Sequence, residues 1–145
     1  MKKIISATLF LAMSIFANGL FAQQVSKDQM KIFQTDNLQD FKKVFKKDDF
    51  NKCFAIKENS YDLLALSVKY ERKNIFNFLL SNTTDVNRIC NNQSPLMVAA
   101  RYGKADMAQS LLKKGADKNL KNASGETAKD FAVKYEKVNL ANILK

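Results

Sequence analysis

The chain has 145 residues, 46% apolar and 26% charged, a balance that permits one soluble globular core and argues against disorder. Lys and Arg outnumber Asp and Glu by 24 to 14, and there is no His, which removes the commonest general base, the usual partner of a Ser or Cys nucleophile and the usual zinc ligand. With four Gly and one Pro there is little material for linkers, so helices joined by short turns in one domain are expected.

In chain order, Lys2 and Lys3 precede an apolar run from Ile4 to Ala17, and Asn18-Gly19-Leu20-Phe21-Ala22 follows. A basic start, a short apolar run and small residues before a cut are the pattern of a secretory signal peptide, here residues 1–22 with cleavage after Ala22. The run is shorter than the ~20 residues that span a bilayer, and no later segment is apolar for long enough. Removing Lys2 and Lys3 leaves 22 basic and 14 acidic side chains, a formal +8 on residues 23–145. Such a surplus raises encounter rates with acidic proteins, anionic lipid or nucleic acid, and export makes nucleic acid the poorest fit of the three.

Residues 26–58 predict a first helical pair. Ser26 and Gln29 stand in capping-box register, and Leu38, Phe41, Val44 and Phe45 make one apolar stripe. Lys42-Lys43 and Lys46-Lys47, like Lys113-Lys114 later, fall on the solvated side. Asp36 and Asp48-Asp49 are turn acids, better suited to capping than to carboxylate chemistry. Residues 59–91 predict a second pair, opening at Asp62 and closing on Asp85-Val86-Asn87.

Residues 92–124 carry the clearest pattern, "SPLMVAARYGKADMAQSLLKKGADKN" from Ser94 to Asn119. Ser94 can cap a helix whose first turn holds Pro95, where the missing donor is harmless. Ala99 and Ala100 let two helices approach, Gly103 permits a tight reversal, and Gly115 suits a left-handed helix end. Residues 125–145 repeat the arrangement, with Thr127 as cap, Ala132 in the packed face, and Leu140, Ile143 and Leu144 closing the last helix.

Taken together, Ser94, Pro95, Leu96, Ala99, Ala100, Gly103, Leu111, Leu112, Gly115, Ala116, Asp117 and Asn119 closely resemble an ankyrin repeat. Neighbouring units depart from it: Leu63 stands for Pro, Glu71 for the turn Gly, and Asp49-Phe50-Asn51 is the first unit's counterpart of Asp85-Val86-Asn87 and Asp117-Lys118-Asn119. The resemblance implies an all-α ankyrin-repeat solenoid of about four helix-turn-helix units with short finger loops, a monomer, docking another protein on its concave face. Two cysteines, Cys53 and Cys90, fall in successive loops. Export makes a disulfide between them feasible, yet a bridge needs Cα atoms within about 7 Å and stacked units lie roughly 10 Å apart, so two small buried thiols are the competing expectation.

A cation followed by tyrosine recurs at Lys69-Tyr70, Arg101-Tyr102 and Lys134-Tyr135, with the tyrosines 32 and 33 residues apart. Tyr61 is the remaining tyrosine, just before the capping Asp62, at the loop position of Gln93 and Glu126. Tyrosine in this place can simply cover the seam between helices. Alternatively Tyr61, Lys69, Tyr70, Arg101, Tyr102, Lys134 and Tyr135 line a basic, aromatic groove for an acidic or polar segment of a partner, with Asn59, Asn91, Gln93 and Ser124 offering hydrogen bonds from the loops. No catalytic residue, cofactor site or metal site is expected. The functional expectation is an exported, periplasmic or secreted protein that binds another protein of the cell envelope, as an immunity protein or an envelope-stress accessory factor. The alternative is a basic surface that associates with anionic lipid or envelope polyanions.

Overall fold

A computed structural model describes residues 23–83 and 85–145. The expected signal segment, 1–22, lies outside the described residues. Eight α-helices among the described residues form four antiparallel pairs: α1 (Lys27–Thr35) with α2 (Leu38–Val44), α3 (Leu63–Lys69) with α4 (Lys73–Asn82), α5 (Pro95–Tyr102) with α6 (Ala105–Lys113), and α7 (Ala128–Lys134) with α8 (Val138–Ile143). The first helices stack in order, α5 packing against both α3 and α7, while α2 meets α4 and α6 meets α8.

Local chemistry starts the first helix of each pair where the sequence places it. Ser26 Oγ accepts from the Gln29 amide at 3.1 Å and the Gln29 side chain accepts from the Ser26 amide at 3.0 Å, the expected capping box. Asp62, Ser94 and Thr127 accept from the amides of Ala65, Met97 and Asp130 at 2.7, 3.3 and 3.3 Å. The first helices α3, α5 and α7 then end in one recurring reversal: the Arg72, Lys104 and Lys137 amides reach back to the carbonyls of Ser67, Ala99 and Ala132 at 2.8, 2.9 and 2.7 Å. Between them stands a left-handed residue, Gly103 at φ 71° in the third unit and Glu71 and Glu136 at 55° and 57° in its neighbours. Glycine takes that conformation freely, whereas the two glutamates hold it at a cost of about 1–2 kcal/mol each.

Asp85 and Asp117 accept from the amides of Asn87 and Asn119 at 2.9 and 2.8 Å, and Asn87 Oδ1 accepts from the Asp117 amide of the next unit at 2.8 Å. The closing Asp-x-Asn pattern is thus a hydrogen-bonded joint between units. Asn51 fills the same place in the first unit by accepting from the Thr83 hydroxyl at 3.2 Å. Asp49 departs, bonding to the Lys46 amide at 2.9 Å in a short 3-10 turn over Lys47–Asp49.

One core runs through all four pairs. At the amino-terminal end it is aromatic: Phe33, Phe41 and Phe45 sit with ring centroids 5.0–5.8 Å apart, and Phe50, Phe54 and Phe78 close around them. Phe41 is fully buried. Val44 leaves the expected stripe and stands 41% exposed, because the short α2 turns only Phe41 inward and Phe45 already caps it. Toward α7 the core narrows to Ala99, Ala100, Ala128 and Ala132, all buried, which lets the first helices approach closely.

Two expectations are corrected. The fold is not strictly all-α: a small three-stranded sheet, ordered β1-β2-β3, joins β1 (Gln23–Gln24), parallel to β2 (Phe54–Ile56), with β3 (Asn59–Tyr61), antiparallel to β2 through a two-residue turn at Lys57 and Glu58. The longer loop before α3 allows this, since four residues beyond the tight Cys90–Gln93 turn supply a paired hairpin. Nor are the thiols free. Cys53 and Cys90 are joined, with Cα atoms 5.7 Å apart. Helix axes pack 8–10 Å apart but paired strands only about 4.8 Å, so loops at the bases of neighbouring fingers come closer than the helices that carry them. The 3.2 Å bond from Asn91 Nδ2 to Asn59 Oδ1 marks the same approach.

The disulfide closes a loop of 37 residues, so the Cys53→Ser/Cys90→Ser variant should lose about 3–4 kcal/mol in urea unfolding relative to the oxidised chain. Phe41→Ala, which empties the centre of the aromatic end, should lose about 3–5 kcal/mol in the same measurement.

Candidate protein interaction site

Side chains on a helix lean toward its amino terminus, so a cation in the last turn of a seven- or eight-residue helix can reach the residue that precedes the cap. All three Lys/Arg-Tyr pairs use this. Lys69 Nζ donates to the Tyr61 hydroxyl at 3.3 Å, Arg101 to Gln93 Oε1 at 3.3 Å, and Lys134 Nζ to Glu126 Oε1 at 3.2 Å, each eight residues back. Tyr61 and Gln93 are 1% and 4% exposed, so the first two cations are anchored from beneath by neutral, buried groups.

The same cations connect the units. Lys69 Nζ lies 4.5 Å from the Tyr61 ring centroid, 5.4 Å from that of Tyr70 and 5.8 Å from that of Tyr102. Arg101 Cζ lies 5.5 Å from Tyr102 and 5.0 Å from Tyr135. Cation and ring therefore alternate across α3, α5 and α7, each contact contributing about 0.5–2 kcal/mol according to how dry it is. Tyr70, Tyr102 and Tyr135 are half-buried. Burial first, then a hydrogen bond to Tyr61, pushes the Tyr102 phenol above its ordinary pKa, so it presents a neutral hydroxyl.

Of the residues expected to line the face, Lys69, Tyr70, Arg101, Tyr102, Lys134 and Tyr135 come together as one strip. Asn91 and Ser124 are exposed at finger tips, Asn91 spanning to Asn59. Tyr61 and Gln93 lie under the strip and are spent inside the protein, which corrects the expectation that they offer contacts outward. Two members were missed. Glu126 pairs with Lys134, and its carboxyl is held below the usual range by the Asn122 amide and then by Lys134. Asn122, buried, donates to the Asn92 carbonyl at 3.1 Å and to Glu126 Oε2 at 3.1 Å, tying the third finger to the fourth. The eight-residue spacing that Glu126 to Lys134 shares with Gln93 to Arg101 was the available signal.

Asp62 differs from the caps at Ser94 and Thr127 in being an acid, and it is buried with Ala65 as its amide donor. Burial raises its pKa from 3.8 to about 7, against the lowering pull of the Ala65 amide and Arg88, with Asp85 adding to the rise.

Residues 79–132 match the family model described as ankyrin repeats (many copies). Alpha-latrotoxin-Lg1a of Latrodectus geometricus is 29% identical over 120 residues, 80% of this chain and 8% of that protein. The NAD-capped RNA hydrolase NUDT12 of Homo sapiens and of Macaca fascicularis is 39% identical over 66 residues, 46% of this chain and 13% of theirs. The chain thus spans a small part of each relative. These matches support an ankyrin-repeat protein, a kind of repeat that is generally a non-catalytic module for protein-protein interaction.

Between pH 4 and pH 7 the folded chain holds a proton on Asp62 that the unfolded chain has released, so stability falls as pH rises through this window and is level above it. Asp62→Ser keeps a cap and removes the titration. Thermal unfolding should show it more stable than the parent at pH 8, on the order of 3 kcal/mol, with the gap closing toward pH 4.

Proposed function

We propose that this chain is an exported ankyrin-repeat solenoid that holds another protein of the cell envelope on the concave face formed by Lys69, Tyr70, Arg101, Tyr102, Lys134 and Tyr135. The observation that carries the reading is one device repeated at Lys69 and Arg101, a cation anchored from below and laid against tyrosine rings of its own and the next unit, with Lys134 repeating the fold-back at the last unit. Seam-covering tyrosines need no buried partner for the preceding cation. A binding face does, because stiff rings and cations locked before contact lose little rotamer freedom when a partner arrives.

Export rests on the basic start and apolar run of residues 1–22, joined now by the Cys53–Cys90 disulfide, a bond that persists in oxidising compartments and is rare in the cytosol. Function on this reading is surface complementarity by a monomer, with no reaction step and no cofactor. Toxin-neutralising immunity and accessory service in envelope stress are both roles that such complementarity fills.

Affinity capture from envelope extracts with the tagged chain, compared with a Tyr70→Ala/Tyr102→Ala/Tyr135→Ala variant of equal helix content by circular dichroism, tests the face. The parent should retain a partner that the variant loses by at least tenfold. An identical set of bound proteins would reject the face.

A further inference from the structure

We infer that the partner segment held on this strip is acidic, with two carboxylates seated at Lys69 and Arg101, the two cations that lie over the Tyr102 ring. This rests on the interaction reading above and adds the partner's chemistry to it.

Charge along the strip is uneven. Lys134 has its carboxylate, Glu126, at 3.2 Å. Lys69 and Arg101 do not: their bonds go to a phenol and a carboxamide, and among the described residues neither is in an ion pair. Lys69 spends one of three N–H donors on Tyr61 and Arg101 one of five on Gln93, so each has donors left for an incoming acceptor. A carboxylate arriving there meets a charge already held in place, the arrangement in which a charge-assisted hydrogen bond is strongest.

Spacing fits a peptide. Both cations lie over the Tyr102 ring, at 5.8 and 5.5 Å, so they are separated by no more than the sum of those distances. An extended segment with acidic residues at alternate positions puts two side chains on one face about 7 Å apart, and Tyr102 lies under the residue between them.

The flanks favour a short acidic segment over an extended anionic surface. Glu126 and Glu136 stand at the fourth unit, while Glu71 at the second is neutralised by Lys104 at 2.6 Å. The strip thus runs from unpaired cations at α3 and α5 to a neutralised pair at α7, which confines the acid to Lys69 and Arg101. A lipid surface would be served better by lysines exposed side by side on one helix, such as Lys42 and Lys43 on α2.

The test uses the disulfide-bonded full chain and two blocked peptides, Gly-Glu-Ser-Glu-Gly and its Gln-for-Glu counterpart, followed by NMR shifts. The Glu peptide should move resonances of Lys69, Arg101 and Tyr102 and bind about tenfold more weakly to Lys69→Gln/Arg101→Gln, the loss of a charged hydrogen bond of ~1.5 kcal/mol or more. Glu126→Gln frees a third cation without disturbing the first two and should bind the same peptide several-fold more tightly. Equal binding of the Glu and Gln peptides, or shifts confined to Lys42, Lys43, Lys46 and Lys47, would overturn the inference. So would phosphatidylglycerol vesicles bound through Lys69 and Arg101 with no response to the peptide. If the tyrosine variant loses its captured partner while the Glu peptide fails to bind, the interaction face stands and its acidic specificity falls.

Discussion

Close approach of the first helices is the constraint on which the rest depends. Ser67, Ala99 and Ala132 are all fully buried, and each offers its carbonyl to the amide five residues on. A larger side chain there would push the neighbouring helix away and open the reversal together. Because the same small residue sets both the interhelical distance and the exit turn, each of the last three units leaves its first helix in the same direction. The tyrosine just before the turn is then delivered to the same place each time.

From that regularity the strip follows. A cation two turns beyond the pre-cap residue folds back to it, and stacking brings the next unit's ring against the cation's other side. The individual contacts are modest, and the stability of the chain resides in the phenylalanine cluster and the alanine seam. What the strip contributes is order: side chains that would otherwise sample many rotamers are held in a row before anything binds. The disulfide acts in the same sense on the fingers, joining the loop before β2 to the loop before α5 across a whole unit.

Local features of the fold were legible in the sequence because their causes are local. The Ser26 box, the caps at Asp62, Ser94 and Thr127, Pro95 in the first turn and left-handed Gly103 all involve groups a few residues apart, and the tyrosine period located the strip. Illegible were the arrangements that join distant segments. Asp36, read only as a turn acid, accepts from the Asn74 and Ile75 amides at 3.0 Å and so starts α4 from 38 residues away. β1 finds β2 across some thirty positions, and neither strand shows alternation long enough to announce itself. Tyr61 and Gln93 were placed correctly along the chain but on the wrong side of the surface, since periodicity reports position on an element and not what packs over it.

By itself, then, the sequence determined where helices begin and reverse, which side chains recur in register, and that the basic charge lacks histidine chemistry, because each of these depends on covalent neighbours or on composition. Only the tertiary structure decided that Cys53 meets Cys90, that Lys134 is neutralised while Lys69 and Arg101 are not, and that Tyr61 and Gln93 lie beneath the strip. Those outcomes depend on distances between units, and burial and pairing across space are set by how helices stack and not by the order of residues along any one of them.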